Sequence, residues 1–169
     1  KATLYRLLQT LLNQDMLSYN EEEQTYKLGL KLVRMAHSAW LQSSLAPVAV
    51  PFIDDLSAKV GETVHLAELD NGQVLYVDKR NPASPIEMYS QAGKVGPAYC
   101  TGVGKAMMAF LDESELNKVI SKQAFHKYTQ HTITSAKALK KELASIKKEG
   151  IAFDRQEHEE KIICISSPI

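Results

Sequence analysis

The sequence predicts an α+β protein in which a helix, a short hairpin and a second long helix precede a mainly antiparallel sheet flanked by helices. Three observations carry that expectation. Leu4, Leu7, Leu8, Leu11 and Leu12 recur at helical spacing, and two short alternating runs follow around Asn20-Glu21-Glu22-Glu23. Thr63 to Leu69 and Gln73 to Lys79 alternate on either side of Asp70-Asn71-Gly72, whose Asn-Gly favours a tight hairpin turn. Between Gly96 and Ala106, the run GPAYCTGVGKA turns an extended segment into a helix: its proline fixes a turn and its glycines admit close backbone approach.

Composition bounds the function classes. With 169 residues, 44% apolar and 24% charged, the chain can bury a core and has the make-up of a soluble globular protein. Twenty Lys and Arg balance twenty Asp and Glu, so no global field draws the chain to nucleic acid or an anionic membrane, and any basic face is local. No apolar run approaches the roughly 20 residues of a membrane-spanning helix, and the first residues do not resemble a signal peptide. The expected location is cytoplasmic, with no membrane partner. Cys100 and Cys164 form neither a CxxC pair nor a disulfide framework, so both are expected as free thiols.

Taken in order, residues 2–14 form an amphipathic helix whose leucine stripe opposes Lys1, Thr3, Tyr5, Arg6, Gln9 and Thr10. Such side chains reach phosphates and base edges when a helix lies in a major groove, although a solvated face would look the same. Leu17-Ser18-Tyr19 and Gln24 to Leu28 read as two short strands, and helix followed by hairpin is the order of a winged helix. The helices that normally precede a recognition helix are missing before Lys1, so the chain reads as a fragment of a longer protein. Glu21, Glu22 and Glu23 make the wing tip acidic, which opposes phosphate contact there.

Leu32, Val33, Ala36, Ala39 and Trp40 give a linker helix over 30–44, interrupted by Ser43-Ser44 and Pro47. A helix over 47–60 ends at Gly61, with the domain change placed near residues 44–46. After the Asn-Gly hairpin, Pro82 and Pro85 bracket a loop and Ile86 to Gln91 is expected as a third strand. The glycine stretch leads into a helix from about Thr101 to Leu111. Asp112 caps Glu113 to Ser121, and Thr134 or Ser135 caps a helix running to Glu149 and stopped by Gly150. Strands at Ile151 to Asp154 and Ile162 to Ser167 close the chain around a charged loop, in which Glu157, Glu159 and Glu160 are expected to be solvated. A strand ending at Pro168-Ile169 leaves its sheet short of an edge, so a C-terminal segment is expected to be missing.

The glycine stretch with Cys100, then Asp154, then Cys164 with Ser166 and Ser167 could converge on one pocket. Short polar groups and free backbone amides suit a small polar ligand. A nucleophilic Cys100 would need a base, for which His65 is the available candidate, and the two cysteines with His65 and Asp154 lack diagnostic metal-ligand spacing. No catalytic residue, metal or cofactor is therefore expected.

The residues also resemble a known family. Ala2 to Leu11, Tyr26-Lys27-Leu28-Gly29, Gly61 to Leu66, Pro97 to Lys105, Thr132-Ile133-Thr134-Ser135 and Asp154 to Pro168 together look like the IclR family of bacterial transcription regulators, over essentially the whole chain. The resemblance implies a C-terminal part of a winged helix-turn-helix (1–28), a linker helix (29–45) and a GAF-like effector-binding domain (46–169), C-terminally incomplete. It implies effector contacts from His65, Met88, Tyr99, Cys100, Thr101, Gly102, Val103, Gly104, Asp154, Cys164 and Ser166, and DNA contacts from Lys1, Ala2, Thr3, Tyr5 and Arg6.

The implied partners are double-stranded operator DNA for the full-length protein, a small carboxylate effector, and further copies of the chain in a homodimer or dimer of dimers. Glu87 to Ser90, His65-Leu66 and Thr132 to Ser135 are most similar to the branch that answers to 2-keto-3-deoxygluconate, which implies a repressor of sugar-acid catabolism. Lys161 stands where the family usually has glycine. A thiol-based redox sensor or cysteine-dependent enzyme using Cys100, and a purely structural DNA-bridging protein, are the competing readings.

Overall fold

A computed structural model describes residues 2–42, 45–84 and 86–169. Lys1, the Ser43-Ser44 interruption and Pro85 lie outside the described residues. The chain divides into two compact units, up to Val50 and from Pro51 onward.

In the first unit, α1 (Ala2–Asn13), β1 (Leu17–Asn20), β2 (Thr25–Leu28) and α2 (Leu30–Gln42) follow in order, and α3 (Ala46–Val60) spans the division. The hairpin pairs Leu17 with Leu28 and Asn20 with Thr25. Its turn is closed by the Asn20 side chain, which accepts the Glu22 and Glu23 amides at 3.0 and 3.2 Å. Gly29 has a steric reason: a Cβ there would lie 2.0 Å from the Asp15 carbonyl oxygen. Only glycine lets the start of α2 cross the end of α1 this closely. The leucine stripe of α1 is only partly covered, with Leu8, Leu11 and Leu12 half-buried while Leu4 and Leu7 are 61% and 56% exposed.

In the second unit, β3 (Val64–Asp70), β4 (Gln73–Arg80) and β5 (Val95–Pro97) form an antiparallel sheet in that order, with a bulge at Leu66/Ala67. Helices α4 (Gly102–Met108), α5 (Glu113–Ser121) and α6 (Ala136–Glu149) follow, then an antiparallel pair, β6 (Ala152–Arg155) and β7 (Ile163–Ser166). Local signals set the helix ends. Asp112 accepts the Glu115 amide at 2.8 Å, Ser135 accepts the Ala138 amide at 3.3 Å, and Gly150 ends α6 in the left-handed region at φ 77°.

One expected strand is corrected. Ile86 to Gln91 is irregular, because its backbone groups are taken by side chains rather than by a ladder. The Tyr89 amide donates to both Glu159 carboxylate oxygens at 3.1 Å, and the Ser90 carbonyl accepts from Lys79 Nζ at 2.8 Å. The third strand is Val95–Pro97, paired with Gln73 to Leu75.

The core centres on α4, which packs against α6, β3, β4, β6 and β7. Val74, Tyr99, Cys100, Ala106, Met108, Leu139, Leu143, Ile146 and Ala152 are all buried in one cluster. Side chains such as Met108 and Leu139 each contribute about 1.5–3 kcal/mol through burial.

Candidate functional site

The site is built where the glycine stretch delivers the chain into α4. Gly104 lies so close to the preceding turn that a Cβ would sit 2.4 Å from the Ala98 carbonyl oxygen. Two residues earlier, a Cβ on Gly102 would sit 2.6 Å from Ser166 Oγ and 3.5 Å from the Asp154 amide nitrogen. The absent side chains therefore set how near the start of α4 comes to β6 and β7. On that pair Asp154 stands opposite Cys164, and Ala152 opposite Ser166. The sheet supplies the facing wall. Tyr76 of β4 packs beneath Gly96 and against His65, ring centroids 5.4 Å apart, and His65 Nε2 lies 2.8 Å from Ser90 Oγ.

Burial and charge set the protonation states. Burial pushes the Asp154 carboxyl up to about 6 against the hydrogen bond it accepts from the Glu157 amide. The Cys100 thiol is pushed up to about 12, by burial first and then by Asp154 and Glu157. Burial, with Asp154 and Glu159, takes Cys164 to about 11. His65 falls to about 4 through burial and the nearby Lys79. At neutral pH the region therefore presents two neutral thiols, a neutral imidazole and one carboxylate that takes a proton readily. Such a set binds by hydrogen bonding and offers no activated nucleophile.

The sequence-expected residues separate into three groups. Cys100, Gly102, Asp154, Cys164 and Ser166 meet where α4 crosses β6 and β7, and His65 stands on the Tyr76 wall. Thr101 and Tyr99 have their hydroxyls engaged inside the protein: Thr101 donates to the Pro97 carbonyl at 2.7 Å and Tyr99 to the His126 carbonyl at 2.6 Å. Tyr99 also packs its ring on Phe125. Gly104 is a backbone spacer, while Val103 and Met88 are half-buried. In the other unit Ala2, Thr3, Tyr5 and Arg6 are exposed on α1. A neighbouring cleft of about 600 Å³, lined by Tyr89, Gly96, Tyr128, His158 and Glu159, is reached by Tyr99 alone among the expected effector residues.

Residues missed by the sequence reading hold the site in place. Lys105 of α4 is fully buried, with Nζ bonded to the Glu157 carboxylate and 3.5 Å from Glu142. Glu157, expected to be solvated, is corrected to buried at 6% exposure. Its amide donates to Asp154 Oδ1 at 2.7 Å and its carbonyl accepts from Thr132 Oγ1 at 2.7 Å. The available signal was a lysine set within an apolar helix, which must find a buried partner. Tyr76 was also missed; its alternation with Val74 on β4 marked it as facing inward.

Residues 37–169 match the family described as bacterial transcriptional regulator IclR, C-terminal. The transcriptional regulator KdgR of Dickeya chrysanthemi is 32% identical over 169 residues, covering all of this chain and 55% of its own length. XynR of Escherichia coli K12 is likewise 32% identical over 169 residues, covering all of this chain and 67% of its own. The chain thus spans little more than half to two thirds of these relatives. Among solved structures, the Thermotoga maritima IclR aligns at a TM-score of 0.80 and 30% identity, over 99% of this chain and 68% of that one. The C-terminal domain of E. coli KdgR aligns at 0.64 and 30%, over 72% and 69%.

Proposed function

Because the chain belongs to the IclR family of bacterial transcriptional regulators, we propose that it is the sensing part of a ligand-responsive repressor, in which a small organic acid binds beside Gly102 and Asp154 and changes how α1 meets operator DNA. The observation that carries this reading is the approach of Gly102 to Asp154 and Ser166, which lie 52 and 64 residues later in the sequence, at one small polar site. A ligand seated there touches the start of α4 and the β6–β7 pair together, so occupancy can bias their relative position. Control of DNA binding then requires different ligand affinity in the two states.

The finer assignment is a sugar acid such as 2-keto-3-deoxygluconate. Its support is the similarity to KdgR proteins together with the Glu87 to Ser90 and Thr132 to Ser135 segments. We place the full-length protein in the cytoplasm as a homodimer or dimer of dimers on operator DNA, with Lys1, Ala2, Thr3, Tyr5 and Arg6 as its DNA contacts from this chain. No described helix is long and apolar enough to cross a membrane. The relatives are regulators rather than enzymes. A Cys100 thiol held up to about 12 is also poorly suited to be a nucleophile. The test is operator release by full-length protein across a panel of sugar acids and keto acids: release by at least one supports the reading, and release by none contradicts it.

A further inference from the structure

Thr129 and Thr132, in the segment between α5 and α6, are buried at 7% and 8% exposure and grip two successive carbonyls of the loop after β6. Thr132 Oγ1 accepts the Tyr128 and Thr129 amides at 3.0 and 2.8 Å and donates to the Glu157 carbonyl at 2.7 Å. Thr129 Oγ1 accepts the His131 amide at 3.0 Å and donates to the Gln156 carbonyl at 2.6 Å. The Gln156 carbonyl and the Glu157 amide are the two ends of one peptide group, and that amide donates to Asp154 Oδ1 at 2.7 Å. A single peptide is thus bonded at both ends, to Thr129 through its oxygen and to Asp154 through its hydrogen. A donor on the carbonyl polarises the peptide and strengthens the bond that its N–H makes.

The same bond fixes where that N–H points. Gln156 lies in the left-handed region at φ 63°, which a residue other than glycine keeps only where its surroundings enforce it. Its amide donates to the Ile162 carbonyl at 3.0 Å, its side-chain oxygen accepts the Lys161 amide at 2.7 Å, and its carbonyl takes the Thr129 hydroxyl. Of these three bonds, the one from Thr129 is made to the 156–157 peptide itself. Burial raises the Asp154 carboxyl to about 6, and the Glu157 amide is foremost among the groups that hold it from rising further, ahead of Lys105 and the His158 amide. The Glu157 charge pushes it up, while the Cys100 and Cys164 thiols and the Tyr76 phenol stay neutral at pH 7. Asp154 is in turn at the glycine stretch, its amide nitrogen 3.5 Å from where a Cβ on Gly102 would stand.

We propose that Thr129 is a positioning residue of the effector site: its hydroxyl fixes and polarises the 156–157 peptide, and that peptide aims the Asp154 carboxylate at the ligand. This rests on the effector-site reading above and adds to it a residue that lies outside the site and acts through one backbone group.

The test compares the 169-residue chain with Thr129→Val, which removes the hydroxyl at nearly constant shape, and Thr129→Ser, which keeps it. Carboxyl NMR titration without ligand reads Asp154 directly: Thr129→Val binds the Asp154 proton about three- to tenfold more tightly than the parent, and Thr129→Ser matches the parent. A loss of stability alone would not move that midpoint. An unchanged midpoint in Thr129→Val, or an equal rise in Thr129→Ser, overturns the inference. In the parent, which depends on no variant folding, the Glu157 amide proton shift follows the Asp154 titration, and an amide that ignores it overturns the inference too. Ligand affinity is then measured at pH 8, where Asp154 is ionised in all three proteins, with 2-keto-3-deoxygluconate, D-gluconate and pyruvate as probes. Thr129→Val weakens the binding seen in the parent about tenfold and Thr129→Ser retains it. Equal affinity in folded Thr129→Val overturns the inference alone. Absence of saturable binding by the parent to all three acids overturns the effector-site reading, whereas the Asp154 titration still decides whether Thr129 positions the carboxylate.

Discussion

Lys105 on α4 and Glu157 in the loop after β6 form a buried ion pair, and the Glu157 amide in turn donates to Asp154 Oδ1. One salt bridge therefore ties the helix that begins at the glycine stretch to the carboxylate on the opposite side of the candidate site.

Lys105→Met should destabilise the fold by about 3–5 kcal/mol, because it leaves the Glu157 carboxylate buried without its cation. Lys105→Met with Glu157→Leu should recover most of that loss, since neither charge then remains to be desolvated. Urea unfolding of the two variants checks the pair; a double variant no more stable than the single would show that the bridge is not the source of the effect.

Asp154 and His65 make opposite contributions to stability over the same pH range. The folded Asp154 pKa is raised to about 6, so its burial penalty is absent below the unfolded value near 4 and grows until pH passes 6. The folded His65 pKa is lowered to about 4, so stability rises with pH from there to about 6.5. The parent should show a shallow profile between pH 4 and 6.5. Asp154→Asn should unmask the histidine and give stability that climbs with pH, and His65→Asn should give stability that falls. Chemical denaturation at several pH values reads both slopes.

How much of this was legible beforehand depends on how local the determining contact is. The α5 cap at Asp112 and the α6 stop at Gly150 were readable because cap and helix are adjacent in sequence. The hairpin at Asn71-Gly72 was readable for the same reason. The third strand was misplaced because Tyr89 is claimed by Glu159, 70 residues away, which no alternation pattern reports. Glu157 looked solvated within Glu157-His158-Glu159-Glu160, yet its partner lies 52 residues earlier. The polar groups of the candidate site could be named from the sequence; the network that joins Asp154 to Glu157 and Lys105 needed the fold.

Gly102→Ala should impair ligand binding more than folding. The added methyl meets Ser166 Oγ at 2.6 Å, a short side chain that can turn aside, and Ser166→Ala should partly restore binding by removing that oxygen. Gly104→Ala should be the more damaging to stability, by roughly 2–4 kcal/mol, because its methyl meets the Ala98 backbone. Thermal melts with and without ligand separate the two.

Cys100 should react with iodoacetamide at pH 8 at least about a hundredfold more slowly in the folded chain than in urea, since little thiolate forms and the sulfur is fully buried. Mass spectrometry of alkylated peptides measures this. Rapid native labelling would restore the redox-sensor reading.

The most direct test of the central claim is a calorimetric titration of this chain with 2-keto-3-deoxygluconate and related sugar acids, repeated on Asp154→Ala and Gly102→Ala. The account predicts saturable one-site binding by the parent and a loss of at least about tenfold in affinity in each folded variant. Binding of equal strength in both variants, or none to the parent, would contradict it.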